Sequence, residues 1–401
     1  MLVMSLLRRK THILVECPEL IPSVRVGVLE ILQYIEREYG LCEVRFSRTF
    51  DIHSCDLEWS DIFISVRGCE EATWKLVTLA RRYARYVVMF LDDDLLHLPS
   101  QKISEELYRD EIIRVYLPKI LACSHKLWVV NRRLGETYGS LTRTPFFTSE
   151  VPIQLPKERR DKTDNSVFRV LYAGSVGHGS ILKQCIVPSV PRLIKRFKDN
   201  IHFTFIGADP GLISSAQVSV IPFFEDYDTY RNYVNHKNFD LGLAPLEDSS
   251  FYSYKYYNKF LEYTQIGITG LYSSVPPYTD VIRDGENGFL CATSDSAWEN
   301  AICRIAFLSS QVRQNCLANA RQMMEERFSY ACQAEHLLRN FPQIVNYRAP
   351  QHTIPPVRIV PLLHYWHRSW MYLKSDGIAA IPIIIQKAVK KYISGLRRKY
   401  S

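Results

Sequence analysis

The chain has 401 residues, a formal net charge of +8, 47% hydrophobic residues and 23% charged residues. That length allows two domains of ordinary size plus a tail, and the mixture excludes a disordered polymer. The positive balance suits an anionic ligand or membrane surface and is too weak to indicate nucleic acid, which is not expected among the partners.

The ten cysteines form no CxxC pair and no zinc spacing. They read as buried, reduced thiols of a cytosolic protein, with no metal site. Met1–Lys10 places a short apolar stretch before Arg8-Arg9-Lys10, the reverse of a secretory leader, so export is not expected. No window approaches the roughly 20 apolar residues of a membrane span. The longest, Ile378–Ile385, is too short and contains Pro382.

In chain order, His12–Cys17 reads as a strand, and Val24–Tyr39 carries Val28, Ile31, Leu32 and Ile35 at helical spacing. Asp61–Val66 and Val87–Leu91 are further strands around a helix over Glu70–Ala84. A long helical pattern, Ser104–Cys123, and a short strand, Leu127–Val130, complete the first half. The pattern breaks from Leu141 to Ser166, where Pro145, Pro152, Pro156 and a charged run mark a boundary.

The alternation then restarts. Strands are expected at Phe168–Tyr172, His202–Ile206, Val218–Pro222, Asp240–Ala244 and Thr269–Ser273. Helices are expected at Ser180–Phe197, Tyr227–Asn235, Tyr256–Gln265, Ser296–Leu308 and Gln311–Arg327, with another through His336. Strands alternating with helices predict α/β architecture: two Rossmann-like layers, each a parallel sheet between helices. The expected division is a domain at 1–150, a linker at 151–166, a second domain at 167–340 and a helical tail at 341–401.

Two stretches carry chemistry. Tyr172–Ser180 is a strand–turn–helix junction with Gly174, Ser175, Gly177 and His178. Its glycines allow close backbone approach, and the helix N-terminus offers N–H groups to phosphate. It has neither a full dinucleotide fingerprint nor a P-loop lysine. In the second, the strand Phe239–Leu246 leads to Lys255, Lys259, Glu262 and Gly267, then Val275-Pro276-Pro277-Tyr278 and Asp284–Leu290. Lys255 and Lys259 are four residues apart, which on a helix places both ammonium groups on one face near its start. Either a diphosphate site or a solvated Lys–Glu face fits that spacing alone.

This ordered set resembles the C-terminal domain of GT-B glycosyltransferases, close to family 4 and the bacterial surface-polysaccharide enzymes. The matching outline is an apolar "DIGLxPL" strand, a "K…KxxEY…G" helix start and a "GxNGxL" turn. The resemblance implies two Rossmann-like domains facing a cleft, with the acceptor at the N-terminal one. It implies a UDP- or GDP-linked sugar as donor substrate, no separate cofactor, and a saccharide or lipid-linked acceptor. Donor residues would be Gly174, Ser175, Gly177, His178, Lys255, Lys259 and Glu262, the last at the ribose. One departure stands out: many family members carry a second glutamate eight positions earlier, where this chain has Tyr254. A nucleotide-sugar epimerase, a phosphorylase or a non-catalytic partner subunit of the same fold remain alternatives.

Asp92-Asp93-Asp94 ends a strand, where open α/β sheets hold ligands. It reads as a helix-initiating acidic loop, or as catalytic, with Asp93 or Asp94 as a base on the acceptor side beside Arg67 and Gly68. His125 and His178 are further acid–base candidates. Finally, Ile381, Ile385, Val389, Tyr392 and Leu396 lie opposite Lys387, Lys390, Lys391, Arg397 and Arg398 on a helical projection, and no acid occurs from Gly377 onward. Such a basic amphipathic helix suits either an anionic membrane surface or packing onto the first domain. With the segment His364–Trp370, it implies a cytoplasmic enzyme peripheral to the inner face of the membrane.

Overall fold

The computed structural model describes residues 9–96, 111–156, 167–174, 179–224 and 226–357, with 366, 369–370, 373, 377–382 and 384–385. The chain forms two compact units, Met1–Val151 with Gln333–Ser401, and Pro152–Cys332. The second segment of the first unit therefore starts inside the range 167–340 that the sequence assigned to the second domain. Its ties explain the difference. Gln333 Oε1 accepts from the Glu150 amide at 3.0 Å, and Lys126 Nζ donates to the Asn340 carbonyl at 2.6 Å.

The first unit holds a six-stranded sheet in the order β2-β1-β3-β4-β5-β6, with every pairing parallel. Its strands are β1 Thr11–Cys17, β2 Cys42–Arg48, β3 Ile62–Val66, β4 Tyr86–Leu91, β5 Lys126–Val129 and β6 Phe146–Thr148. Every residue of β3 is buried, as expected for a central parallel strand covered on both faces. The sequence reading missed both edge strands, β2 and β6, and the helix Arg132–Thr142.

Beyond the last long helix, the chain runs along the N-terminal ends of these strands. Thr11 Oγ1 donates to the Ile344 carbonyl at 2.6 Å, and Arg85 donates to the Pro350 carbonyl at 2.8 Å. The Ala349 amide donates to Asp61 at 2.9 Å. This strap satisfies polar groups at the end of the sheet opposite its C-terminal edge.

The second unit holds a six-stranded sheet in the order β12-β11-β10-β7-β8-β9, again parallel throughout. These strands are β7 Phe168–Gly174, β8 Ile201–Gly207, β9 Val218–Ile221, β10 Leu241–Ala244, β11 Thr269–Ser273 and β12 Phe289–Cys291. Its core gathers Phe203, Phe205, Leu182, Leu193, Trp298 and Ile302, all buried. The single helix expected over Ser180–Phe197 is three pieces: Gly179–Cys185, a 3₁₀ turn at Val187–Ser189, and Val190–Phe197. Pro188 and Pro191 each start a new piece, because proline lacks the N–H that would continue the preceding one.

The order of strands reverses between β1 and β3 in the first sheet and between β7 and β10 in the second. In open α/β sheets, the crevice beyond the strand C-termini at such a point is where ligands sit. Arg67 and Gly68 follow the end of β3, Asp92, Asp93 and Asp94 follow the end of β4, and Gly174 closes β7.

In the tail, Trp366 and Trp370 stack at 6.2 Å and stand 65% and 53% exposed. Lys387, Lys390, Lys391, Arg397 and Arg398 lie outside the described residues. No described helix is long and apolar enough to cross a membrane.

Candidate functional site

At the second switch point, β7 ends at Gly174 and the next helix begins at Gly179. Ser175, Gly177 and His178 lie outside the described residues. Ser180 Oγ donates to Glu247 Oε1 at 3.4 Å, so the helix start sits beside the loop that follows β10. That loop is fixed in turn: the Leu246 amide donates to Ser273 Oγ at 2.8 Å, and Tyr263 Oη to the Leu243 carbonyl at 2.7 Å. Glu247 was not among the sequence candidates; its pairing with Ser180 spans 67 positions.

Lys255 and Lys259 do not share a helical face. A one-turn helix, Ser250–Ser253, is capped by Ser249, and the chain bends before a new helix starts at Asn258. Stacked Tyr256 and Tyr257 rings, 4.2 Å apart, occupy the bend, and Tyr257 also packs edge-on against Phe328. Both tyrosines are buried, and this packing overrides the continuous helical spacing. Lys255 Nζ lies 5.0 Å from the Phe251 ring centre, while Lys259 stands in the first turn of the new helix. Lys259 Nζ donates to Glu262 Oε2 at 2.6 Å, and Tyr230 Oη donates to Glu262 Oε1. Tyr254 caps the short helix, with its amide on the Phe251 carbonyl.

At the first switch point, the polar groups bond among themselves. Arg67 donates to Asp92 and, at 3.0 Å, to Asp93. Its φ of 53° aims the side chain back over the end of β4, where its amide already bonds the Phe90 carbonyl. Asp94 is buried and accepts from Tyr138 Oη at 2.8 Å and the Leu96 amide at 3.2 Å, a structural carboxylate rather than an accessible base. Behind them, fully buried Glu16 accepts from Thr49, from Ser65 at 2.7 Å and from Thr73 at 3.3 Å. Burial pushes its pKa up, while the three hydroxyls pull it down. A Cβ on Gly68 would stand 2.3 Å from Ser65 Oγ and 2.4 Å from Thr73 Cγ2, so only glycine fits.

His125 belongs to the other end of the sheet. Its Nδ1 accepts from the Val87 amide at 2.9 Å and its ring stacks on Tyr86. Burial lowers its pKa to about 4, which keeps it a neutral acceptor and removes it from acid–base candidates.

Neither a protein-family model nor a curated protein matches the sequence. Solved structures do match in fold. Anabaena HepE, in complex with UDP and glucose, aligns with a TM-score of 0.58 at 11% identity, covering 83% of this chain and 100% of its own. The chain has the GT-B fold. A glycosyltransferase from Rickettsia africae gives a TM-score of 0.55 at 12% identity, over 84% of this chain and 100% of that one. An E. coli trehalose-6-phosphate protein bound with UDP-2-fluoro glucose gives 0.56 at 9%, with coverage of 84% and 100%.

The GT-B frame gives each unit its own strand-end crevice, and the chemistry available differs between them. In the second, Lys255 stands over the Phe251 ring and Lys259 is paired with Glu262, both in the segment that follows β10. In the first, one guanidinium is shared between two carboxylates, leaving no net positive charge in that trio.

Proposed function

We propose that the protein is a glycosyltransferase that moves a sugar from a UDP- or GDP-linked donor to a saccharide or lipid-linked saccharide. The observation that carries this reading is the pair Lys259–Glu262 at the start of the helix that follows β10 and is tied to that strand by Tyr263 Oη on the Leu243 carbonyl. Lys259 and Lys255, with the helix start after Gly174, supply positive charge to the departing diphosphate. Such fixed charge counts most where charge develops during bond cleavage. Glu262 accepts hydrogen bonds from the ribose hydroxyls. HepE, which shares the fold, is described in complex with UDP-glucose, and this supports a nucleotide-sugar donor.

The acceptor is assigned to the first unit, where Arg67 and Gly68 shape the strand ends and Asp93 serves as base. Asp94, enclosed by Tyr138, is dropped from that role. The exposed Trp366 and Trp370, together with the acid-free basic sequence from Gly377, support work at an anionic cytosolic membrane surface.

Incubating the purified chain with a panel of nucleotide sugars and a pool of lipid-linked acceptors tests the reading. Transfer or slow donor hydrolysis is expected, and a folded protein that neither binds nor turns over any donor refutes it. Tyr254, standing where many relatives carry a carboxylate, favours a second reading as a donor-binding partner subunit. Binding without turnover would select that reading, and interconversion of the sugar without acceptor would select an epimerase.

A further inference from the structure

We propose that Tyr230 is a positioning residue that keeps Glu262 in place while Lys259 leaves it for the donor's diphosphate. Selection of ribose over deoxyribose then depends on a tyrosine from a different helix. The proposal rests on the donor-site reading above, in which Glu262 faces the ribose.

Without ligand the pair is self-satisfied. Lys259 Nζ sits on Glu262 Oε2 at 2.6 Å, with side chains 26% and 14% exposed. Tyr230 Oη occupies the other oxygen. The two donors differ in freedom. Tyr230 is 9% exposed, and its ring lies 6.1 Å from that of Phe224. Its helix is fastened at the start, where Asp226 Oδ2 accepts from the Thr229 amide at 2.8 Å and from Thr229 Oγ1 at 2.6 Å. Lys259, by contrast, carries its charge on a flexible four-carbon stem.

An arriving diphosphate offers the ammonium more negative charge than one carboxylate does, so the lysine exchanges partners. That exchange vacates Oε2 for a ribose hydroxyl. A carboxylate has room for about four hydrogen bonds, so the tyrosine need not leave. Without the tyrosine hydroxyl, nothing at Oε1 opposes the pull of the moving ammonium, and Glu262 swings away from the ribose. Phosphate and ribose recognition are thereby coupled through one side chain.

The test is calorimetric titration of the full chain with UDP and GDP, then with the 2′-deoxy and 3′-deoxy forms of whichever binds. Wild type is expected to prefer the ribonucleotide over at least one deoxy form by about tenfold or more, the size of one charged hydrogen bond. In Tyr230→Phe that ratio falls towards one, while the melting temperature stays close to wild type. A Tyr230→Phe protein that keeps the ratio, whatever its stability, overturns the proposal and leaves Tyr230 as a staple between helices. A wild type that binds diphosphates with no ribose preference also overturns it but leaves the diphosphate site standing. If neither UDP nor GDP binds, the donor reading itself has failed and the proposal falls with it. Should Tyr230→Phe not fold, Glu262→Gln is read by the same ratio, and an unchanged preference there overturns the proposal equally.

Discussion

The two sheets share their architecture and use their switch points differently. At the end of β1 and β3, Glu16 is closed in by three hydroxyls, and Arg67 by two carboxylates. In the second unit, the charged pair Lys259–Glu262 stands at the start of the helix that follows β10 and is partly accessible. Arg67, Asp92 and Asp93 are 21%, 18% and 19% exposed, much like Lys259 and Glu262 at 26% and 14%, so the two ends differ in charge rather than in access: the first trio carries a net negative charge and the second pair none. The same position in two sheets of one fold thus carries a partly exposed ion cluster in each unit, backed by the buried carboxylate Glu16 in the first.

The sharpest way to break this comparison is to remove one cation from each side. Lys259→Met is expected to lower kcat/KM for the donor by about 100-fold or more, as for loss of one fixed transition-state donor. Arg67→Met should leave donor affinity unchanged, and equal donor-binding losses in the two variants would erase the distinction. Next in size, Glu16→Leu leaves three buried hydroxyls without their acceptor and should cost about 3 kcal/mol in urea unfolding. Glu16→Gln, which retains an acceptor, should cost about 1 kcal/mol or less.

Gly68→Ala should cost about 2 kcal/mol by overpacking, read from the same unfolding curves. The two side chains in the way are those whose hydroxyls hold Glu16, so neither turns aside without breaking that cluster. The smallest effect concerns pH. His125 is neutral in the fold, with a pKa of about 4 against an ordinary 6.5. Its contribution is therefore complete above pH 6.5 and declines as pH falls towards 4. His125→Asn, which keeps an acceptor for the Val87 amide, should flatten that part of the stability profile.

The sequence showed the central strands and the closeness of Lys259 to Glu262 because both are local. β3 and β4 are apolar runs, and Lys259–Glu262 spans a single helical turn. What it hid was set by partners far along the chain. In β2 the polar residues Glu43, Arg45 and Ser47 alternate with Val44 and Phe46, a pattern that suits an edge strand but offers no apolar run. The helix Arg132–Thr142 carries Gly135 and Gly139, residues that weaken a helical signal and here let Phe146 pack against it. Tyr230 meets Glu262 across 32 positions, and no spacing rule joins them. Glu16 did offer a signal that went unused: a lone acid in the apolar run of β1 demands buried donors.

The strap along the starts of the first sheet's strands bears on the order in which the protein can be made. Pro152–Cys332 is one uninterrupted segment, so its core is complete as soon as it leaves the ribosome. The first unit begins earlier and finishes later, because Thr11, Asp61, Arg85 and Lys126 complete their hydrogen bonds only when residues 340–350 have been added. A chain stopped after Cys332 would carry a finished second unit beside a first one with its strand starts unsealed. The half that emerges first is the half that must wait.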